Sequence, residues 1–261
     1  MGKFQGTFQR YEKKYLLNEK TYRLLRRRLQ DKVSVDNYGK TTICNIYFDT
    51  PNYQLVRTSL EKPVYKEKLR LRSYGIPEEG DMVFAELKKK YKGVVYKRRE
   101  KLELIEAEHY LYDKRQVSAP SQITKEIDWF FQFYQGLEPS MYISYDRVAM
   151  YGLEDSNMRI TFDSNILWRK EELWLEAGSW GNSFIPYNWR LMEIKILGAM
   201  PVWLSSTLDE LRIYPVSFSK YGKAYQELIT EDKKDDKEKE EKMERREETE
   251  KIIDIGDRKY A

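Results

Sequence analysis

The chain has 261 residues, 41% hydrophobic and 14% aromatic, enough to bury a sizeable core as one large β domain or two small ones. Charged residues make up 34%, yet the net charge is only +4, which implies no chain-wide nucleic-acid footprint and makes the placement of charge the informative quantity. One cysteine excludes a disulfide framework or Cys-rich zinc site, and no apolar run approaches a membrane span of roughly 18 residues. With no hydrophobic signal region at the N-terminus, the expectation is a cytoplasmic protein, at most peripheral at the inner face of the membrane.

Residues 8–16 read as a first strand with Arg10, Glu12 and Lys14 on one face. Asn18 is placed to cap the helix that follows to about Asp31, with Leu17 and Tyr22 spaced for a hydrophobic staple. Thr41 to Asp49 is the second strand, and Asp49-Thr50-Pro51-Asn52 has turn chemistry. Strands at 65–74, 82–91 and 94–103 follow, the last two forming a hairpin through Lys92-Gly93. Residues 104–116 are ambiguous, whereas 121–135 form a helix with Ser121 at its start and Gly136 at its end. Strands resume at 141–150, 158–166 and 190–197, separated by a Trp- and Gly-rich stretch that holds a further strand or an ordered loop. Helices over 201–213 and about 219–230 complete the ordered part, and the nearly all-charged 231–250 reads as a solvated linker.

Read with period two, these strands share an unusual feature. Lys68, Arg70 and Arg72 fall on one face of Lys68-Leu69-Arg70-Leu71-Arg72, and Leu69 and Leu71 on the other. Glu86/Lys88, Lys97/Arg99, Tyr145/Arg147, Arg159/Thr161/Asp163 and Glu193/Lys195 repeat the alternation. If the apolar faces pack against helices, the charged faces line the inside of the sheet. The expected architecture is α+β, a closed antiparallel β-barrel of about eight strands forming a tunnel flanked by helices. Burying so many cations costs several kcal/mol per ion unless an anion accompanies them. Glu12, Glu86, Asp163 and Glu193 would not bind phosphate directly; they suit Mg²⁺ or Mn²⁺, which prefer oxygen ligands.

The runs Arg10-Tyr11-Glu12-Lys13-Lys14-Tyr15, Asn45-Ile46-Tyr47-Phe48-Asp49-Thr50 and Lys68 through Gly75 resemble the VTC domain. So do Phe84 through Lys90, Ile143 through Arg147, Arg159 through Asp163, Met192-Glu193-Ile194-Lys195 and Phe218 through Gly222. This is the polyphosphate polymerase domain of the vacuolar transporter chaperone complex and its bacterial relatives, within the triphosphate tunnel metalloenzymes (CYTH-like). The resemblance covers about residues 8–228 and implies a tunnel domain over 1–230, with a charged, disordered tail over 231–261.

The resemblance also implies a phosphotransferase that moves the γ-phosphate of ATP onto a growing inorganic polyphosphate chain, assisted by Mn²⁺ or Mg²⁺. Its phosphate-binding and catalytic residues would be Lys14, Arg70, Arg72, Lys88, Lys97, Arg99, Arg147 and Lys195, with Arg10, Tyr145, Arg159, Ser219 and Lys220 also contacting substrate. Glu193 would be the main metal ligand, supported by Glu86, Glu12 and Asp163. Lys68 has the same parity and is placed at the tunnel mouth. Many hydrolytic tunnel enzymes begin Glu-x-Glu-x-Lys; here the first acid is replaced by Arg10, which favours transfer to phosphate over activation of water. In-line transfer to a terminal phosphate needs positioning and charge neutralisation more than a protein base. His109, in a Glu-rich segment, and Cys44, in a strand, have no part in it. A triphosphate hydrolase on the same fold and a non-catalytic polyphosphate-binding module are the alternatives, and nucleic acid is not an expected partner. The chain carries no membrane span, so export of a product would need a membrane-protein partner.

Overall fold

The computed structural model describes residues 10–92, 94–234, 237 and 242, with Arg10 described in its backbone alone. Gly93 of the expected hairpin turn and nearly all of the 231–261 tail lie outside these residues. The chain divides into two compact units, Met1–Gly222 and Lys223–Ala261. In the second unit residues 223–234 are helical.

The first unit is one antiparallel sheet with helices along its outer face. In chain order its elements are β1 (Arg10–Leu17), α1 (Glu19–Arg28), β2 (Val33–Asp49), α2 (Gln54–Leu60), β3 (Tyr65–Tyr74), β4 (Met82–Tyr91) and β5 (Val94–Glu103). There follow α3 (Leu104–Leu111), α4 (Gln122–Phe133), β6 (Glu138–Gly152), β7 (Arg159–Arg169), β8 (Asn182–Ser183), β9 (Arg190–Leu197) and α5 (Val202–Glu210). The hydrogen-bonded order is β1-β9-β7-β6-β2-β3-β4-β5, with β8 beside β7.

Side-chain alternation sends the apolar residues of every strand outward to the helices. Cys44, Ile46, Leu69, Leu71, Ala85 and Leu87 pack under α3 and α4 in one core cluster. Leu17, Ile160, Phe162, Met192 and Ile194 pack under α1 and α5 in a second. The helices are held by local chemistry that their sequences announce. Asn18 Oδ1 accepts from Thr21 N, and Ser121 and Thr124 form a reciprocal capping box at the start of α4.

The sheet is curled but not closed, which corrects the expected barrel. Its two ends, β1 and β5, are not paired with each other among the described residues. The free edge of β1 is occupied instead: Tyr15 bridges to Pro215, and Val216 N donates to Lys14 O at 2.7 Å. That segment satisfies backbone groups which β5 would otherwise have to reach. Curling is nonetheless strong. Burial lowers the Lys88 ammonium and Glu12 raises it, although β4 and β1 stand far apart along the strand order.

Two elements differ from the reading of the sequence. β2 begins at Val33 and carries a bulge between Val35 and Lys40. Helix α2 occupies what reads as a simple turn. The Asp49 carboxylate accepts from Leu55 N at 2.8 Å and Val56 N at 2.9 Å, so a residue five positions before the helix caps it.

Candidate functional site: a cationic face inside the curled sheet

The inner face is built from cross-strand rows. Lys68, Lys88 and Lys97 stand opposite one another on β3, β4 and β5. A row of like charges repels, and the next row compensates. There Arg70, Glu86 and Arg99 are register partners, and Glu86 is 1% exposed. Arg70 donates to Glu86 Oε2 through Nε at 2.8 Å and Nη2 at 2.6 Å. Arg99 Nε and Lys97 Nζ reach Oε1 at 2.8 and 2.7 Å, and Arg72 Nη1 stands 3.8 Å from Oε2. Burial alone would raise the Glu86 carboxyl, but Arg70, Arg72 and Lys97 hold it far below the usual carboxylate range.

Across the curl a second set forms on β1, β9, β7 and β6. Register places Glu12 opposite Lys195 and Lys14 opposite Glu193. Lys14 Nζ lies 3.5 Å from Glu12 and 3.6 Å from Glu193, and Lys195 contacts both acids as well. Arg147 grips buried Asp163 in two-point fashion at 2.6 and 2.7 Å, and Lys220 Nζ meets the same carboxylate at 2.5 Å. Arg147 and Lys220 also stand 3.7 and 3.6 Å from Glu193. Burial opposes ionisation of Asp163 and Glu193, and the surrounding cations overcome it, so both carboxyls are lowered. Lys220 shows the converse: burial lowers it, Asp163 and Glu193 raise it, and the net shift is upward.

The face still holds more positive charge than its acids neutralise. Burial, with Lys88, Lys66 and Lys14, brings the Lys68 ammonium down to about 8. Burial and the neighbouring arginines bring Lys97 to about 8 despite its bond to Glu86. Tyr47 shows the same field from the other sign. Burial would raise its phenol, yet Arg70, Lys68 and Arg72 lower it to about 8.

Of the expected residues, Lys14, Arg70, Arg72, Lys88, Lys97, Arg99, Arg147, Lys195, Lys220, Tyr145 and the four acids Glu12, Glu86, Asp163 and Glu193 lie on this face. Ser219 joins through its Oγ, which accepts from Lys68 Nζ at 3.1 Å. Lys68, expected at the mouth, is thus drawn against the segment that precedes the last helix. Arg159 shares the parity but stands 56% exposed at the end of its strand, 3.4 Å from Asp36. The side chain of Arg10 is outside the described residues. His109 is an exposed residue of α3 and Cys44 is buried in the outer core, both apart from the face.

Two members carry no role in the sequence reading. Tyr47 accepts from Arg70 Nη1 at 3.1 Å and stacks on Tyr221, ring centroids 4.6 Å apart. Asn45, fully buried, accepts from Arg72 Nε at 2.8 Å. Their signal was present in the parity of β2, where both alternate with Cys44, Ile46 and Phe48.

The face also contains an orphan. Thr161 Oγ1, on the register partner of Glu193, is buried without a hydrogen-bond partner. Its register partner Glu193, and Glu12, which shares Lys14 and Lys195 with Glu193, are hard-oxygen donors suited to Mg²⁺ or Mn²⁺. Among the described residues no three acidic, His or Cys side chains converge as a self-sufficient metal cage. Glu86, ringed by cations, is a poor place for another one.

Among solved structures, a candidate adenylate cyclase from Bacillus halodurans is 15% identical and matches over 81% of this chain and 95% of its own, with a TM-score of 0.50, a likeness of fold. A candidate adenylate cyclase from Vibrio parahaemolyticus matches 87% of this chain and 99% of its own at 14% identity and a TM-score of 0.40. The Mimivirus capping enzyme triphosphatase matches 77% and 88% at 10% identity and a TM-score of 0.33. No curated protein matches the chain. The VTC domain family model matches residues 9–229, so this curled sheet with its inward cations belongs to the VTC domain family.

Proposed function

We propose that the charged face is the wall of a phosphate tunnel in which the γ-phosphate of ATP passes to the end of an inorganic polyphosphate chain. The observation that carries this reading is the surplus of cations over carboxylates on the inner face. Lys68 and Lys97 brought to about 8 mark a site that lacks negative charge, and a polyphosphate supplies it along its whole length. Arg70 and Arg72, locked to Glu86, Tyr47 and Asn45, are pre-positioned to grip donor phosphates without reorganising.

The state of the acids favours transfer over hydrolysis. Glu12, Glu86, Asp163 and Glu193 are all lowered, so none is suited to take a proton from water near neutral pH. A terminal phosphate is already an anionic nucleophile and needs no base. Arg147, Lys195 and Lys14 would hold acceptor and donor oxygens in line against their mutual repulsion. Glu193 and Glu12 would hold a divalent ion, with the Thr161 hydroxyl beside Glu193. Such an ion, when bound, adds positive charge where the leaving group gains negative charge. The role left to Glu86 is to order the guanidinium groups.

The test is incubation of the purified chain with ATP, Mn²⁺ and a short polyphosphate primer, followed by sizing of the products. Chains longer than the primer support polymerase activity. Release of phosphate from ATP without chain growth would place the protein among triphosphate hydrolases, and binding without turnover would make it a polyphosphate-binding module.

A further inference from the structure

The outer face, elsewhere covered by helices, ends in an exposed aromatic belt where β3 begins and β4 ends. Tyr65 and Tyr91 are cross-strand partners, 43% and 46% exposed, with ring centroids 6.4 Å apart. Beside them α4 turns Thr124, Ile127 and Phe130 into the core and leaves Trp129 and Phe133 on its opposite side, one turn apart. These two rings stack at 5.0 Å and are 51% and 61% exposed. A shallow groove of about 300 Å³ runs between Lys89 and the α4 residues Gln122, Lys125, Glu126 and Trp129.

The belt is held rigid from beneath. Buried Glu67 accepts from the hydroxyls of Tyr65 and Tyr134 and stands 3.7 Å from Lys89 Nζ, which in turn lies over the Trp129 ring. The charge around it is mainly positive. Lys62 and Lys92, both in left-handed turns, are exposed with Lys90 and Lys125. The nearby acids are largely engaged: Glu67 as described, Glu126 by Arg98 at 3.5 Å and Asp128 by the Tyr110 hydroxyl, while Glu61 stands exposed beside Lys62.

We propose that this belt seats the protein on an anionic membrane surface. Tyr and Trp rings with a polar edge are suited to the headgroup layer, and lysines around them are drawn to anionic lipid. No helix among the described residues is long and apolar enough to cross a bilayer, so the contact is peripheral. Lys68 is three residues along β3 from Tyr65, about 10 Å away, so this end of the cationic face would lie next to the membrane.

Flotation of the full chain with phosphatidylcholine vesicles, with and without phosphatidylglycerol, tests the proposal. Binding is expected only to the anionic vesicles, and weaker at high salt. Trp129→Ala with Phe133→Ala should lower it about tenfold or more. Lys62→Glu with Lys92→Glu should lower it about 25-fold or more; it removes the Lys92 ammonium from over the Tyr91 ring but leaves the Trp129–Phe133 stack in place. Both pairs should keep wild-type turnover in vesicle-free solution. Absence of binding, equal binding to neutral vesicles, or binding indifferent to both pairs would overturn the idea. So would a dimer in solution that both pairs dissociate, since the belt would then be the face of a second copy. Arg70→Ala should bind vesicles normally whatever it does to turnover, so failure of the membrane site and failure of the tunnel reading are separable.

Discussion

Replacing Glu86 by glutamine removes one negative charge from among Arg70, Arg72, Lys97 and Arg99 while keeping the side chain's shape. Breaking one side of a buried ion set costs about 3–5 kcal/mol. Arg99 and Lys97 are 34% and 40% exposed, and solvent screens their repulsion; Arg70 at 18% and Arg72 at 7% are not so relieved. The expected loss is therefore about 3 kcal/mol, and the melting temperature should fall by about 10 °C for a domain of this size. A polyanion should give much of it back, because phosphate oxygens replace the lost carboxylate. At about a hundred times its dissociation constant, tripolyphosphate stabilises the native state by about 2.7 kcal/mol, and its affinity for the variant should exceed that for wild type. Differential scanning calorimetry with and without tripolyphosphate reads both effects. A variant as stable as wild type, or one that tripolyphosphate stabilises less than wild type, would refute the view of Glu86 as the organiser of a phosphate-binding face.

Other outcomes follow from the same geometry. Glu193→Gln should abolish divalent-dependent turnover by roughly a hundredfold or more, yet bind tripolyphosphate without metal at least as tightly as wild type, by titration calorimetry. Lys68 and Lys97 titrate near 8, below the ordinary 10.5, so tripolyphosphate affinity should fall as pH rises through about 8, with net proton uptake on binding there. For stability the sign is opposite: between about 8 and 10.5 the unfolded chain binds more protons, so these lysines favour the ligand-free fold increasingly as pH rises. On the acid side the lowered Glu86, Asp163 and Glu193 contribute stability above the ordinary carboxylate range, and it is lost as pH falls below that range. Arg169→Lys should cost about 3 kcal/mol in urea unfolding. Its buried guanidinium donates to the carbonyls of Glu171, Glu172, Trp174, Gly178 and Trp180, a fan that one ammonium cannot reproduce.

The inner face was legible because a strand's alternation is local. Lys68, Arg70 and Arg72 could be assigned to one side without knowing any partner strand, and the same holds for Lys97 and Arg99. Helix starts were legible for the same reason, since Asn18 and Ser121 act on amides two or three residues away. What required the fold was long-range. The cap of α2 is displaced to Asp49, whose other oxygen partner is the hydroxyl of Tyr221. Closure of the sheet failed because the edge of β1 meets Pro215 and Val216, some two hundred residues later, which no periodicity reveals. Tyr47 and Asn45 looked like ordinary strand residues until Arg70 and Arg72 were placed across from them. Arg169 was lost in a Trp-rich stretch whose order depends on its own side chain.

The central claim is that the cationic face carries a phosphoryl group from ATP to a polyphosphate end. It is tested most directly by following ATP labelled at the γ-phosphate in the presence of Mn²⁺ and primer, with wild type and Arg70→Ala side by side. The account predicts label in acid-stable chains longer than the primer for wild type and none for Arg70→Ala, both proteins showing the same circular dichroism. Label found only as free phosphate, or chain growth undiminished in Arg70→Ala, would contradict it.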